Sequence, residues 1–225
     1  MTCSPRRIAR TSLVAVGLLG GLAVPLAPTP VRAGDGTAGL ARLVLAARLA
    51  DWGRADRNPL ALIVAASIRN QVALKRVERL PEGGTSTEPA PAGTETTVDG
   101  LLAEALAMAP KDAALAALAA DVAAARTKGR VDGKGESVAT VRAAGTDWYR
   151  KVRFEGTRYA EAYVELIGDG RLGVSVYDGQ GNLVCRDPTP SVVTYCGWQP
   201  SATEQYDVKV ENLGPRPVRY KIATN

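Results

Sequence analysis

The sequence predicts an α+β protein in separate units, with a helical N-terminal array followed by an antiparallel β-sandwich of about seven to eight strands. Ala and Leu recur at helical spacing in the first half, whereas apolar and polar residues alternate in the last 80 residues. Of the aromatic residues, only Trp52 precedes residue 145. Such a shift in composition marks two independently built units.

Residues 1–33 have the pattern of a secretory signal peptide. Three arginines lie among the first ten residues, an apolar stretch covers residues 11–27, and Val-Arg-Ala at 31–33 forms a small-x-small cleavage site. The apolar stretch is interrupted by glycines and is shorter than the ~20 residues that span a bilayer. The pattern predicts a mature chain that begins near Gly34, has no transmembrane anchor and is periplasmic or extracellular.

Composition excludes several classes of function. The chain contains no histidine, so mechanisms that need an imidazole base and zinc sites with histidine ligands are excluded. The predicted signal peptide carries four of the 28 basic residues and no acidic residue, which leaves 24 basic against 23 acidic residues in the mature chain. This near-neutral balance gives no reason to expect nucleic-acid binding, and no motif indicates a cofactor.

Two helices are predicted in residues 34–79. The first covers residues 37–52, with Gly53 as its left-handed C-terminal cap. Asn58 followed by Pro59 is a typical helix start, because the Asn side chain accepts a first-turn amide and Pro fixes φ. The second helix is predicted over residues 59–76. Its expected packing face consists of Leu60, Ile63, Val64, Ser67, Ile68 and Gln71.

Residues 80–96 are rich in Pro, Gly, Thr and Glu and are predicted to be a disordered linker. A second helical pair follows in residues 97–129. Its first helix starts near Thr97, with Thr96 and Asp99 as a capping box, and its second helix is opened by Asp112 and closed by Gly129.

After a second linker at residues 130–137, the pattern predicts a sandwich over residues 138–225. Residues 205–211, 218–222 and 158–166 alternate between apolar and polar side chains, as half-buried strands do. Gly-rich and Pro-containing turn signals separate these segments.

Cys185 and Cys196 are the two cysteines of the predicted mature chain. An even number in an oxidising compartment indicates a disulfide between them, formed across a strand hairpin.

Four segments of the last 80 residues carry a family pattern: Arg153–Gly156, Tyr177–Val184, Cys196–Pro200 and Val210–Gly214. Through them this stretch resembles the bacterial pre-peptidase C-terminal domain, a β-sandwich. The resemblance implies a non-catalytic module of the kind found in secreted proteases and other exported proteins, some of which bind calcium through Asp-rich loops. Here Gly170–Ser175 stands where the family often has acidic residues.

The helical half resembles segments of uncharacterised exported bacterial proteins, through Ala50–Gly53 and Asp56–Leu62. This second resemblance implies no activity.

One strand offers a candidate binding face. Tyr159, Glu161, Tyr163 and Glu165 alternate with apolar residues and are predicted to face solvent. Rings beside carboxylates stack on sugars or contact a protein partner. The alternative is that the tyrosines pack against neighbouring Arg or Lys stems. Trp52 and Trp198 are predicted to be packing anchors.

A possible metal site overlaps a turn. Asp178, Gln180 and Asn182 are spaced like the first three ligands of a calcium loop, and Asp169 is the best additional ligand. The same residues are explained by a hairpin turn, because the glycine and the closing glutamate of a calcium loop are missing. The turn is the favoured interpretation.

These features predict an exported, non-enzymatic binding or structural protein of the bacterial envelope that binds a protein or a glycan. The alternative is an accessory or regulatory subunit of a secreted hydrolase. The ligand and the oligomeric state are left open by the sequence.

Overall fold

Helices precede most of the strands, which confirms the predicted fold class. The computed structural model describes residues 39–125 and 134–225, so the predicted signal peptide and the predicted cap at Gly129 lie outside the described residues. The helices are α1 (Gly39–Ala55), α2 (Pro59–Asn70), α3 (Val98–Met108) and α4 (Ala113–Ala124). The strands are β1 (Leu74–Arg76), β2 (Lys134–Val141), β3 (Thr146–Phe154), β4 (Ala160–Ile167), β5 (Leu172–Tyr177), β6 (Leu183–Ser191), β7 (Val193–Trp198), β8 (Glu204–Asn212) and β9 (Val218–Thr224).

The strands form two sheets that pack face to face. The first sheet has the order β1-β2-β9-β4-β7 and the second the order β3-β8-β5-β6. Neighbouring strands are antiparallel except for β1 and β2, which are parallel. The predicted inward residues of β4, β8 and β9 lie in the core between the sheets, because alternate side chains of a strand share one face.

The Cys185–Cys196 disulfide is confirmed, with Cα atoms 5.8 Å apart. It does not close a hairpin, because Cys185 lies on β6 of the second sheet and Cys196 on β7 of the first. The bond therefore joins the two sheets along one edge of the sandwich, where β6 and β7 are the outermost strands.

The end of α1 differs from the prediction. Gly53 lies inside the helix, where an added Cβ would meet the Ala61 and Leu62 side chains at 3.0 and 3.1 Å. The left-handed residue is Arg57, with φ of 52°. The Arg57 N–H bonds to the Arg54 carbonyl and the Asn58 N–H to the Gly53 carbonyl, as in a Schellman motif. Gly53 therefore serves close helix packing.

Helix α2 begins as predicted but ends six residues earlier. The Asn58 side chain accepts from the Ala61 N–H at 3.2 Å, which confirms the cap. Beyond Asn70 the chain turns into extended β1, and Val72 and Leu74 pack against α1 and the first sheet. The predicted packing face is also wrong apart from Ile63. The buried side is formed by Ala61, Leu62, Ile63, Ala65, Ala66 and Arg69, because α2 packs between α1, α3 and the first sheet.

Side chains cap both later helices. Thr97, and not Thr96, caps α3 by accepting from the Gly100 N–H, and Asp112 caps α4 as predicted. Both helices pack on α2, and their apolar residues join one cluster with α1 and α2. None of the described helices is long and apolar enough to cross a membrane.

Residues 77–97 contain no helix or strand, but the segment is bonded to the sandwich, which differs from the predicted disordered linker. The Ser86 N–H donates to the Thr140 carbonyl on β2, and the Glu82 N–H donates to the Trp148 carbonyl on β3. The segment therefore satisfies edge groups of both sheets. Its low content of apolar side chains misled the prediction, since backbone hydrogen bonds and polar side chains supply these contacts.

Candidate functional site

The predicted binding face of β4 is not exposed. Helix α1 packs on β4 and β7, so the outer face of the first sheet is an interface with the helices. Tyr163 is fully buried there among Leu40, Leu43 and Ala47. The prediction of a solvent-facing surface is therefore wrong for Glu161, Tyr163 and Glu165. Tyr159 is half-buried and lies against Gly197.

Glu161 holds the N-terminus of α1. Its Oε1 atom accepts from the Ala41 N–H at 3.0 Å, the Leu40 N–H at 3.2 Å and the Tyr195 hydroxyl at 3.1 Å. Its Oε2 atom pairs with Lys134 Nζ at 2.5 Å. A carboxylate at a helix N-terminus satisfies free backbone donors and meets the positive end of the helix dipole.

Glu165 binds α2 through Arg69. The two guanidinium nitrogens donate to its two carboxylate oxygens at 3.0 and 2.8 Å, and both side chains are 5% exposed. Burial alone lowers the pKa of Arg69, but the charge of Glu165 outweighs it and raises that pKa above its ordinary value. Burial also raises the pKa of Tyr163 well above its ordinary value. These residues hold the helices and the sandwich together.

The residues considered for calcium form a turn between β5 and β6. Asp178 Oδ1 accepts from the Gln180 N–H at 2.9 Å and the Asn182 N–H at 2.8 Å, and Oδ2 accepts from Asn182 Nδ2 at 2.9 Å. The side-chain hydrogen bond from Asn182 is the main cause of a lowered Asp178 pKa. Asp169 lies before the other end of β5, so the fold does not bring it to this turn.

Within residues 39–125 and 134–225, no group of three or more His, Cys, Asp or Glu side chains is placed to hold a metal ion.

The outer face of the second sheet carries an aromatic pair that the sequence analysis missed. Trp148 on β3 and Tyr177 on β5 are both half-buried, and their ring centroids are 5.5 Å apart. The guanidinium carbon of Arg150 lies 4.0 Å from the Trp148 ring centroid, and Lys209 Nζ lies 5.6 Å from it. We call Trp148, Tyr177, Arg150, Lys209 and Asp207 the aromatic face.

Ion pairs fix the polar groups of the aromatic face. Arg150 pairs with Asp207 and with Glu82, both at 2.8 Å. A bulge at Lys151, where φ is 55°, directs its N–H to Asp207 Oδ1 at 2.9 Å. Partial burial alone raises the pKa of Asp207, but the hydrogen bonds from Lys151 and Arg150 outweigh it and hold that pKa below its ordinary value. The face thus combines two rings with fixed positive and negative groups.

This pair can be found from the sequence only if the order and register of the strands are known. Trp148 precedes Tyr149, which lies in the core, so Trp148 must point to the opposite side of β3. Lys209 stands opposite both Trp148 and Ser175 in the sheet, and Asp207 stands opposite Tyr177. The strand pairing needed to bring β3 and β5 to the two sides of β8 is not visible in the sequence.

The two tryptophans predicted to be anchors have different positions. Trp198 is a packing anchor, with ring centroids 4.8 Å from Phe154 and 5.3 Å from Tyr206. Trp52 is not, because its side chain lies on the outer side of α1 and is 49% exposed.

Sequence comparisons place the chain in no family: no protein-family model matches it, and no characterised protein matches it. Solved structures that match at low similarity include three β-sandwich domains. A periplasmic inhibitor of g-type lysozyme from Aeromonas hydrophila has 12% identity and a TM-score of 0.33, over 44% of this chain and 90% of that one.

The pre-peptidase C-terminal domain of a Bacillus anthracis collagenase has 10% identity and a TM-score of 0.33, over 40% of this chain and 89% of that one. A carbohydrate-binding module of Cellvibrio mixtus lichenase 5A, solved with cellotriose, has 13% identity and a TM-score of 0.26, over 42% of this chain and 87% of that one. The β-sandwich assignment itself follows from the strand order given above.

Proposed function

We propose that this protein is an exported, non-enzymatic binding protein of the bacterial envelope, with a pre-peptidase C-terminal type sandwich that binds a wall polysaccharide on its aromatic face. The observation that carries the proposal is the half-exposed Trp148–Tyr177 pair with Arg150, Lys209 and Asp207 around it. Aromatic rings bury large apolar areas, and fixed polar groups give orientation to a ligand with many hydroxyls.

The arrangement of the two sheets supports this choice of surface. The helices occupy the outer face of the first sheet, so the outer face of the second sheet is the broad sandwich face that they leave uncovered. The predicted signal peptide and the Cys185–Cys196 disulfide support export, because disulfides persist in oxidising compartments. The absence of histidine supports a role without catalysis.

The experiment measures retention of the purified protein on insoluble cell-wall polysaccharide. Trp148→Ala and Tyr177→Ala should each weaken retention about tenfold, because a central aromatic contributes roughly 1 to 2 kcal/mol to an interface. Trp52→Ala removes a more exposed tryptophan elsewhere and should leave retention unchanged. Circular dichroism and the melting temperature of each variant check that the sandwich remains folded.

Three results contradict the proposal. Retention that does not respond to either aromatic-face variant would assign binding to another surface. Hydrolysis of the polysaccharide that Asp207→Asn abolishes would make the protein an enzyme. If the protein is retained on an envelope protein extract but not on the polysaccharide, and both variants lose this retention, then the aromatic face binds a protein instead of a glycan.

A further inference from the structure

The hairpin of α1 and α2 exposes large apolar side chains. Leu45 and Trp52 on α1 are 57% and 49% exposed, and Leu60 and Val64 on α2 are 48% and 40% exposed. We call these four residues the hairpin surface. No packing requirement inside the described part of the chain accounts for it, because the buried sides of both helices are formed by other residues.

The four residues of the hairpin surface lie on two helices that pack against each other. Leu45 and Trp52 are seven residues apart and therefore share one side of α1, and Leu60 and Val64 are four apart on one side of α2. Only residues 56–58 connect the two helices, which pack against each other. Leu43 and Ala47, on the opposite side of α1, face the first sheet. The exposed residues thus lie on the side that points away from the sandwich.

The charges around this surface are mainly positive. Arg42, Arg48 and Arg57 are exposed, and none has an ion-pair partner within residues 39–125 and 134–225. Arg42 and Arg48 flank Leu45 on neighbouring positions of the helix, and Arg57 lies in the turn between the helices. Asp56, in the same turn, is the one acidic residue there without an ion pair among the described residues.

We infer that the hairpin surface binds the surface of an anionic phospholipid bilayer. Leucine and tryptophan side chains enter the boundary between headgroups and acyl chains, and arginines beside them contact lipid phosphates. A second copy of the chain is disfavoured as the partner, because a two-fold contact brings the unpaired arginines of both copies together. The charge around the patch therefore selects an anionic surface.

The position of this surface agrees with the proposed function without depending on it. The hairpin lies on the outer side of the first sheet, and the aromatic face lies on the outer side of the second. The two surfaces are on opposite sides of the sandwich. A molecule held to a membrane by the hairpin presents the aromatic face away from that membrane.

The test is co-sedimentation of exported, purified protein with phosphatidylcholine vesicles that contain about 30 mol% phosphatidylglycerol. Binding should weaken tenfold or more in the Leu45→Gln/Trp52→Gln variant, because both side chains leave the bilayer boundary. It should weaken about fivefold for each arginine replaced in the Arg42→Gln/Arg48→Gln variant, and the unaltered protein should bind neutral phosphatidylcholine vesicles more weakly by a similar ratio. Glutamine keeps the helix propensity high.

Leu183→Gln is the matched control, because Leu183 is 55% exposed but lies on β6, outside the hairpin. It should bind vesicles like the unaltered protein. Residues before Gly39 are common to all variants, so they do not affect the comparison. Equal binding of all variants, or no binding to anionic vesicles, overturns the inference.

Light scattering that shows a dimer lost in the Leu45→Gln/Trp52→Gln variant, without vesicle binding, would replace the bilayer with a second copy and also overturn the inference. Retention on wall polysaccharide is measured on the two hairpin variants and should be unchanged. Failure of either proposal is thereby distinguishable from failure of the other.

Discussion

Removing Arg69 tests the interface between the helices and the sandwich. In Arg69→Met the Glu165 carboxylate remains on β4 in a site where it is 5% exposed, but it loses both guanidinium hydrogen bonds of 2.8 and 3.0 Å. An unpaired buried charge costs about 3 to 5 kcal/mol of folding free energy. We therefore expect the free energy of unfolding to fall by that amount, a large fraction of the ~5 to 15 kcal/mol of a typical domain.

Equilibrium unfolding in urea, followed by circular dichroism and by tryptophan fluorescence, measures this loss. The Arg69→Met/Glu165→Leu double variant should lose less than Arg69→Met alone, because it removes the charge as well as its partner. Arg158→Met is the matched control. Its ion pair with Glu155 has a similar distance of 3.0 Å, but its side chains are 79% and 68% exposed, and such pairs contribute about 0 to 1 kcal/mol.

Two outcomes would refute this reasoning. An Arg69→Met protein within about 1 kcal/mol of the unaltered protein would mean that Glu165 is not held in a low-dielectric site. A double variant that is less stable than the single variant would mean that the pair stabilises through packing of the stems rather than through charge.

Two further predictions concern the sandwich. Replacing Cys185 and Cys196 by Ala should lower the free energy of unfolding by about 3 kcal/mol, since the bond closes a loop with a sequence separation of 11. Urea unfolding measures this loss. Free thiols in exported protein would contradict the pairing. Burial raises the pKa of Tyr149 to about 12, above the ~10 of an unfolded chain. The contribution of Tyr149 to stability is therefore complete below pH ~10 and should be lost as the pH rises to about 12. Tyr149→Phe should weaken this pH dependence in melting curves. Tyrosinate absorbance that rises for every tyrosine near pH 10 would contradict the prediction.

Local signals in the sequence predict the elements well where the chemistry is local. Asn58 and Asp112 cap their helices as expected, because an N-cap depends on a side chain and amides two or three residues away. The sequence analysis wrongly placed the end of α1 at Gly53. This residue is small because α1 packs closely against Ala61, and a tertiary contact of this kind leaves no local signal. The positive φ fell instead on Arg57, whose residue type gives no signal for it.

The candidate site depends on pairings between distant segments. Alternation in β4 correctly separates two faces, but it does not tell whether the polar face meets water or another layer. The burial of Glu161 and Glu165 could not be predicted from the local sequence, because their partners, the N-terminus of α1 and Arg69, lie more than 90 residues away in sequence. The aromatic face is hidden for the same reason, since Trp148 and Tyr177 meet only through the order β3-β8-β5.

The layer order constrains where this protein can bind. A sandwich has two outer faces, and here the helices cover the first. Their buried contacts with it include the α1 amides that donate to Glu161 and the Arg69–Glu165 ion pair. An interface built in this way resists separation, because opening it breaks these charge-assisted hydrogen bonds and exposes the apolar side chains packed around them. The outer face of the first sheet is therefore covered, whereas the outer face of the second sheet and the outer side of the helices are accessible in the described part of the chain. Both accessible surfaces carry a tryptophan beside arginines, at Trp148 and at Trp52.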